Sequence, residues 1–221
     1  MRKAIIVWGG LQIHEPEECA GITGDILTED GFDVEITGDL GIFGSEHIAK
    51  ADLLVPIITG EKLERPHADA LVAAVRGGLG LGGHHGALST SFKESAPFRY
   101  LAGCTWVAHP GNVIDFRVNI ARPNDPVMQG IPDFDYRSEQ YYLHYDPSIE
   151  ILATTTFSGE HDDAVRNVTM PVVYKRHFGK GRVFYSALGH VAAEFEHPLM
   201  RTILRRGLSW AARRVDDNSG I

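Results

Sequence analysis

The chain has 221 residues, of which 43% are hydrophobic and 23% charged, and its formal net charge is −8 with histidine neutral. This is the balance of a globular protein long enough to bury a full core, acidic and without the basic cluster that nucleic acid requires, and with no apolar run approaching a membrane span. Two distant cysteines, Cys19 and Cys104, make no CxxC pair, and a strand signal beginning at Lys3 leaves no signal-peptide pattern, so a reducing, cytoplasmic setting is expected.

The first half alternates strand and helix signals. Lys3–Trp8 is an apolar, β-branched run, Pro16–Glu29 has helical periodicity with Gly31 as its stop, and Phe32–Thr37 alternates as a strand. Asp52–Ile58 is apolar with Pro56 inside it, which predicts an edge strand or a bulge. Glu61–Arg76 is the next helix, closed by Gly77-Gly78, and Leu79–Gly83 the next strand. This β-α-β-α order implies a parallel sheet with helices on both faces. The second half is richer in strands: Asn112–Ile120, Asp135–Leu143, Ile149–Thr155, Pro171–Arg176 and Arg182–Leu188. The polar stretch between Phe157 and Thr169 reads as a mobile loop, and Pro198–Arg213 as an amphipathic helix. Gly179-Lys180-Gly181-Arg182 reads as a hairpin turn, because it lacks phosphate-loop spacing and no helix follows it. Residues 1–215 are expected to form a single domain and 216–221 a frayed tail.

The chemistry concentrates at strand ends, where ligands sit in open α/β sheets. Gly82, His84 and Gly86 spell Gly-x-His-x-Gly between a strand and a helix, the pattern of a nucleophile elbow with His84 in the place of Ser or Cys. Imidazole binds metals and moves protons but makes a poor acyl carrier. Beside the following helix N-terminus, His84 is expected to stay neutral. His85 adjoins it, His14 follows the first strand, His109 lies in His109-Pro110-Gly111, and His190 ends the strand leading to Gly189. These five histidines are the candidate metal ligands, whereas His47, His67, His161 and His197 are expected at the surface. Glu139, in Asp135–His144, is the carboxylate with a functional context. His84, His85, Glu139 and His190 are the candidate catalytic groups. Trp8, His14, His109, Tyr141 and Tyr142 are the candidate substrate-binding groups, with Trp106 a further ring suited to sugar stacking.

Together, Trp8-Gly9-Gly10 with His14-Glu15, Gly82-Gly83-His84-His85-Gly86-Ala87-Leu88, His109-Pro110-Gly111, Ser138-Glu139-Gln140-Tyr141-Tyr142, Met170-Pro171-Val172-Val173-Tyr174, and Gly179–Tyr185 leading into Gly189-His190 resemble the ThuA-like family, named for trehalose utilisation. The resemblance runs from about Lys3 to Ala212. One departure is Ser138, where family members often carry Asp. The resemblance implies a class I glutamine amidotransferase-like fold, a flavodoxin-like three-layer α/β sandwich with a mostly parallel sheet and helices on both faces. Amidotransferases of this class pair an elbow Cys with a late strand-end His. The matching positions are His84 and His190, the Cys is absent, and the position two past His190 is Ala192 rather than a carboxylate. A thiolate mechanism is therefore not expected.

The resemblance further implies sugar catabolism, particularly through 3-keto-glycosides. Protons beside such a carbonyl are acidic, and a base with an acid or metal can isomerise, epimerise or eliminate. Three readings stay open: a keto-sugar enzyme, a non-catalytic sugar-binding or regulatory module, and a metal-dependent hydrolase. The cofactor is left open between a divalent ion, Zn or similar, and none. The expected partner is a small carbohydrate, with neither nucleic acid nor membrane, and homo-oligomerisation is left open.

Overall fold

A computed structural model describes residues 1–213; the expected tail at 216–221 lies outside the described residues. The chain opens with β1 (Arg2–Gly10), α1 (Pro16–Glu29), β2 (Phe32–Thr37), β3 (Leu53–Thr59), α2 (Arg65–Arg76), β4 (Gly80–His84) and the single turn α3 (Gly86–Ser89). It continues with α4 (Ala96–Ala102), β5 (Cys104–Ala108), β6 (Val113–Ile120), β7 (Phe134–Glu139), β8 (Tyr142–Tyr145), β9 (Glu150–Thr156), β10 (Thr169–Phe178), β11 (Gly181–Ser186) and α5 (Pro198–Ala211). Nine strands form one sheet in the order β2-β1-β3-β4-β11-β10-β9-β6-β7, and β5 pairs with β8 in a separate ribbon.

From β2 to β11 every pairing is parallel, and from β11 to β7 every pairing is antiparallel. The parallel half is covered on both faces. Helices α1 and α5 pack together on one side and α2, α3 and α4 on the other. This is the flavodoxin-like α/β architecture expected, carrying an antiparallel extension that the strand-rich second half of the chain supplies. Double coverage explains why Ala4–Val7 and Leu53–Ile58 are buried at every position rather than at alternate ones.

Local signals set several boundaries. Helix α1 begins with Pro in its first turn, followed by Glu17 and Glu18, which complement the positive end of the helix. Helix α2 starts at Arg65, four residues later than expected, because Pro66 occupies its first turn. Pro56 corrects the expectation of an edge strand, since β3 lies between β1 and β4. The carbonyls of Asp52 and Ile58 are engaged on the β4 side, by Gly80 N–H and the Ser91 hydroxyl, while Thr59 O accepts from Leu11 beside β1. Even-numbered positions of β3 therefore face β4, and that ladder ends at Leu54. The missing N–H of Pro56 falls where pairing has already opened. The expected strand Asp135–Leu143 is two strands, β7 and β8, in different sheets. Strand β5 and helix α4 carried no signal singled out from sequence. In the polar stretch before β10, Arg166 donates to the carbonyls of Ser158 and Gly159. Among the described residues, no helix is long and apolar enough to cross a membrane.

Candidate functional site

Strand β4 reads Gly80-Leu-Gly82-Gly83-His84, and alternation decides where each residue looks. A Cβ at Gly80 or Gly82 would stand 2.2 Å from the Ala211 carbonyl and 2.3 Å from Leu208 Cδ2, so even positions face α5 at close range. His84 continues that row. It is 3% exposed, its Nδ1–H donates to the Gly189 carbonyl at 3.1 Å, and its ring meets Phe195 edge-on. Its Nε2 is buried with no partner among the described residues. Burial first, then the neighbouring His85, lowers its pKa to about 4, so His84 is neutral.

The turn itself is made by His85, and this corrects the assignment of His84 to the elbow. His85 has φ 49° and ψ −121°, a strained conformation for a residue with a Cβ. The turn is fixed on both sides: His85 N–H donates to Ser186 O at 2.7 Å, and its carbonyl accepts from Tyr185 Oη at 2.8 Å and Ser89 Oγ at 3.0 Å. The strain turns the imidazole out of the β4 row and toward the strand-end loops.

There His85 stacks on His190 (ring centroids 4.8 Å apart, planes 19° apart), and His14 meets both edge-on at 5.2 and 5.0 Å. The imidazoles expected to face each other across the elbow and the late strand end are thus His85 and His190, not His84 and His190. Glu139 enters from the end of β7. Its Oε2 lies 3.3 Å from His85 Nε2, and its Oε1 lies 3.8 Å from His109 Nε2 and 3.9 Å from His190 Nε2. Tyr141 Oη is 2.6 Å from His85 Nε2. One ligand atom from each of His14, His85, Glu139 and His190 lies within 4.8 Å of all the others.

These residues fit a divalent cation. His85 Nδ1 faces the Ala187 carbonyl at 3.3 Å, to which it can only donate, and this turns Nε2 toward Tyr141 and Glu139. That nitrogen lies 2.6 Å from the Tyr141 hydroxyl and 3.3 Å from Glu139 Oε2, and three imidazoles with one carboxylate are a donor set that suits a divalent ion. Neutral imidazoles are also the form that binds metal. Burial first, then the charges of His85 and His190, lowers His14 to about 4, and His190 is lowered chiefly by burial. Burial alone would raise Glu139. The hydrogen bond and charge of His85, with His190 and His109, outweigh it and lower the carboxyl to about 2. Burial raises Tyr141 well above the usual phenol range, so it is a donor.

The other expected residues divide. His109 borders the centre through Glu139, half-buried, with Trp106 beside it at 5.2 Å and Lys93 over the indole at 4.1 Å. The buried His109 Nδ1, Trp106 Nε1 and His14 Nδ1 have no partner among the described residues. Tyr142, one residue from Tyr141 on the alternating chain, instead meets His144 and Phe157. Trp8 lies over Gly38, where a Cβ would be 3.3 Å from the indole. Of the expected surface histidines, His47 is exposed beside Glu35, but His197 is half-buried against Phe134 and Tyr136 and caps α5. Cys19 and Cys104 are buried, Cys19 Sγ donating to the His14 carbonyl at 3.5 Å, and burial pushes their thiols up to about 12 and about 11. Glu194 and Tyr136 hold the His190 loop; no motif marks them for that role, and only the fold brings them there.

Parallel strands around a strained strand–helix elbow, faced by a histidine at the end of β11, define a class I glutamine amidotransferase-like protein with imidazole in place of the nucleophilic thiol. The model of the ThuA family, described as trehalose utilisation, matches residues 3–211, and the chain belongs to this family. Its fold is shared by ThuA-like proteins from Bacteroides uniformis (18% identity, TM-score 0.78, covering 95% of this chain and 91% of that one) and Parabacteroides merdae (19%, 0.77, 95% and 89%). A β-galactosidase from Bacillus circulans sp. alkalophilus shares the fold over 91% of this chain and 30% of its own (13% identity, TM-score 0.57). No curated protein matches by sequence. Family membership gives the chain a carbohydrate-related role.

Proposed function

We propose that this ThuA-family protein is a carbohydrate enzyme that moves a proton on a small keto-sugar or 3-keto-glycoside, at a divalent-cation centre held by His14, His85, His190 and Glu139. The observation that carries the reading is the convergence of those four ligand atoms from four separate segments of chain. A bound cation supplies a Lewis acid that polarises a sugar carbonyl and makes its neighbouring C–H acidic. The chain's own groups do the rest. Tyr141, kept protonated by burial and held at the edge of the centre, donates to a substrate oxygen. His109 lies outside the ligand set and is half-buried; it takes the proton from the carbon beside the carbonyl and returns it to carbon when the carbonyl re-forms. The Trp106–His109 wall offers ring surface to the sugar.

The test is metal titration of the tag-free, chelator-stripped protein by calorimetry with Zn²⁺, Mn²⁺ and Co²⁺, followed by a screen of 3-keto-glycosides. One ion per chain is expected, lost in His85→Ala and His190→Ala. Turnover should vanish in chelator and return with one ion. Turnover intact in chelator with no stoichiometric metal overturns the cation centre. Sugar binding without turnover overturns the enzyme reading.

A further inference from the structure

We propose that Glu194 is a positioning residue: its carboxylate clamps the main chain of Gly189 and His190 and thereby aims the His190 imidazole into the centre. The proposal rests on the reading above only in that His190 serves that centre. Glu194 Oε2 accepts from both Gly189 N–H and His190 N–H, each at 3.0 Å, and from Tyr136 Oη at 2.8 Å. Three donors on one carboxylate oxygen is a saturated, charge-assisted arrangement. The opposite side of the loop is held as well, since the Gly189 carbonyl accepts from His84 Nδ1. Gly189 has φ +92°, and a Cβ there would stand 2.6 Å from Met200 Cε and 3.1 Å from His84 Nδ1, so only glycine lets the chain pass.

The clamp also joins two loops of the centre. Glu194 lies on the 3-10 turn Ala192–Glu196, whose first N–H donates to Glu15 Oε2 at 2.9 Å. Glu15 directly follows His14. His14 and His190, 5.0 Å apart by ring centroid, are thus tied through the main chain on which each stands. In a catalytic dyad the carboxylate would meet the imidazole itself. Here Glu194 acts on the backbone, and the buried His84 is its counterpart on the other side of the same loop. This gives His84 a positioning role in the described geometry.

The test reads His190 directly in metal-free, full-length protein. Amide hydrogen exchange and ¹⁵N-histidine ring spectra are compared for wild type, Glu194→Ala, Glu194→Gln and the control Glu196→Gln on the same turn. Glu194→Ala should speed exchange at Gly189 and His190 at least about tenfold and shift the His190 ring signals. Glu194→Gln keeps a neutral acceptor and should restore most of both, and Glu196→Gln should match wild type. Co²⁺ affinity should fall about 10- to 100-fold in Glu194→Ala. A folded Glu194→Ala with wild-type exchange and ring signals overturns the clamp. If that variant does not fold, Tyr136→Phe serves instead: a smaller shift of the same signals supports the clamp, and unchanged signals overturn it. If wild type binds no Co²⁺, the cation centre fails while the metal-free spectra still decide the clamp.

Discussion

His85 carries the site's function and its strain on the same Cα. Its φ of 49° with ψ −121° is sparsely populated for any residue with a Cβ, and such backbone costs roughly 1–3 kcal/mol. His85→Ala and His85→Gly should both abolish metal binding, but the glycine variant should be the more stable in urea unfolding by about 1 kcal/mol after its extra unfolded-state entropy is counted. An alanine variant as stable as the glycine one would show that the elbow is unstrained. Tyr141 separates binding from chemistry. As a neutral donor outside the four-ligand set, its loss in Tyr141→Phe should leave metal affinity within a few-fold while turnover falls about 100-fold or more. Equal turnover would remove Tyr141 from the proton path.

At the scale of elements, the approach of α5 to β4 sets the depth of the site floor. Gly80 and Gly82 both face α5, but they meet different obstacles. A Cβ at Gly80 would run into the backbone of Ala211 and Ala212, whereas at Gly82 it would run into the flexible end of Leu208. Overpacking costs typically about 1–3 kcal/mol, more when the obstacle cannot turn aside. Gly80→Ala should therefore destabilise by about 3 kcal/mol and Gly82→Ala by about 1 kcal/mol, measured by chemical denaturation. The reverse order would mean that α5 shifts more readily than Leu208 repacks. The same element scale holds the discrepancy over Pro56. Proline in a strand forbids a hydrogen bond on one side only, and β3 presents that side where its ladder to β4 has ended.

For the whole molecule, the buried imidazoles tie stability to pH. His84 has a folded pKa of about 4 against an unfolded value near 6.5, so the unfolded chain takes up a proton that the folded chain refuses. Its contribution is complete above pH 6.5 and is lost as pH falls from 6.5 to 4, by up to about 3 kcal/mol. His14, also lowered to about 4, acts in the same direction. Glu139, lowered to about 2, adds a further loss as pH falls from 4.5 toward 2. Denaturant midpoints between pH 7 and 4 should drop steeply. His84→Asn, which keeps a donor for Gly189 O, should flatten that slope. An unchanged slope would place the acid sensitivity elsewhere.

What the sequence by itself determined is what local rules govern. The period of the apolar residues and the Gly and Pro punctuation set the bounds of α1 and β2 as expected. Parallel-sheet logic put His14, His85, His109 and His190 at strand ends, and the aromatic-rich segment Asp135–His144 singled out Glu139 as the carboxylate to join them. What the tertiary structure alone decided is which neighbours face which way. His84 and His85 are adjacent in sequence, and alternation requires only that they diverge. Which one reaches the centre depends on α5 covering the Gly80–Gly82–His84 row and on Ser186 and Tyr185 holding His85 in a conformation no propensity favours. Asp135–Leu143 alternates smoothly in sequence yet parts at Gln140–Tyr141, because β7 pairs with β6 and β8 with β5. Glu194 and Tyr136 are 58 positions apart, and neither carries a local signal of its role. Their pairing depends on long-range contacts that exist only once the sheet has assembled.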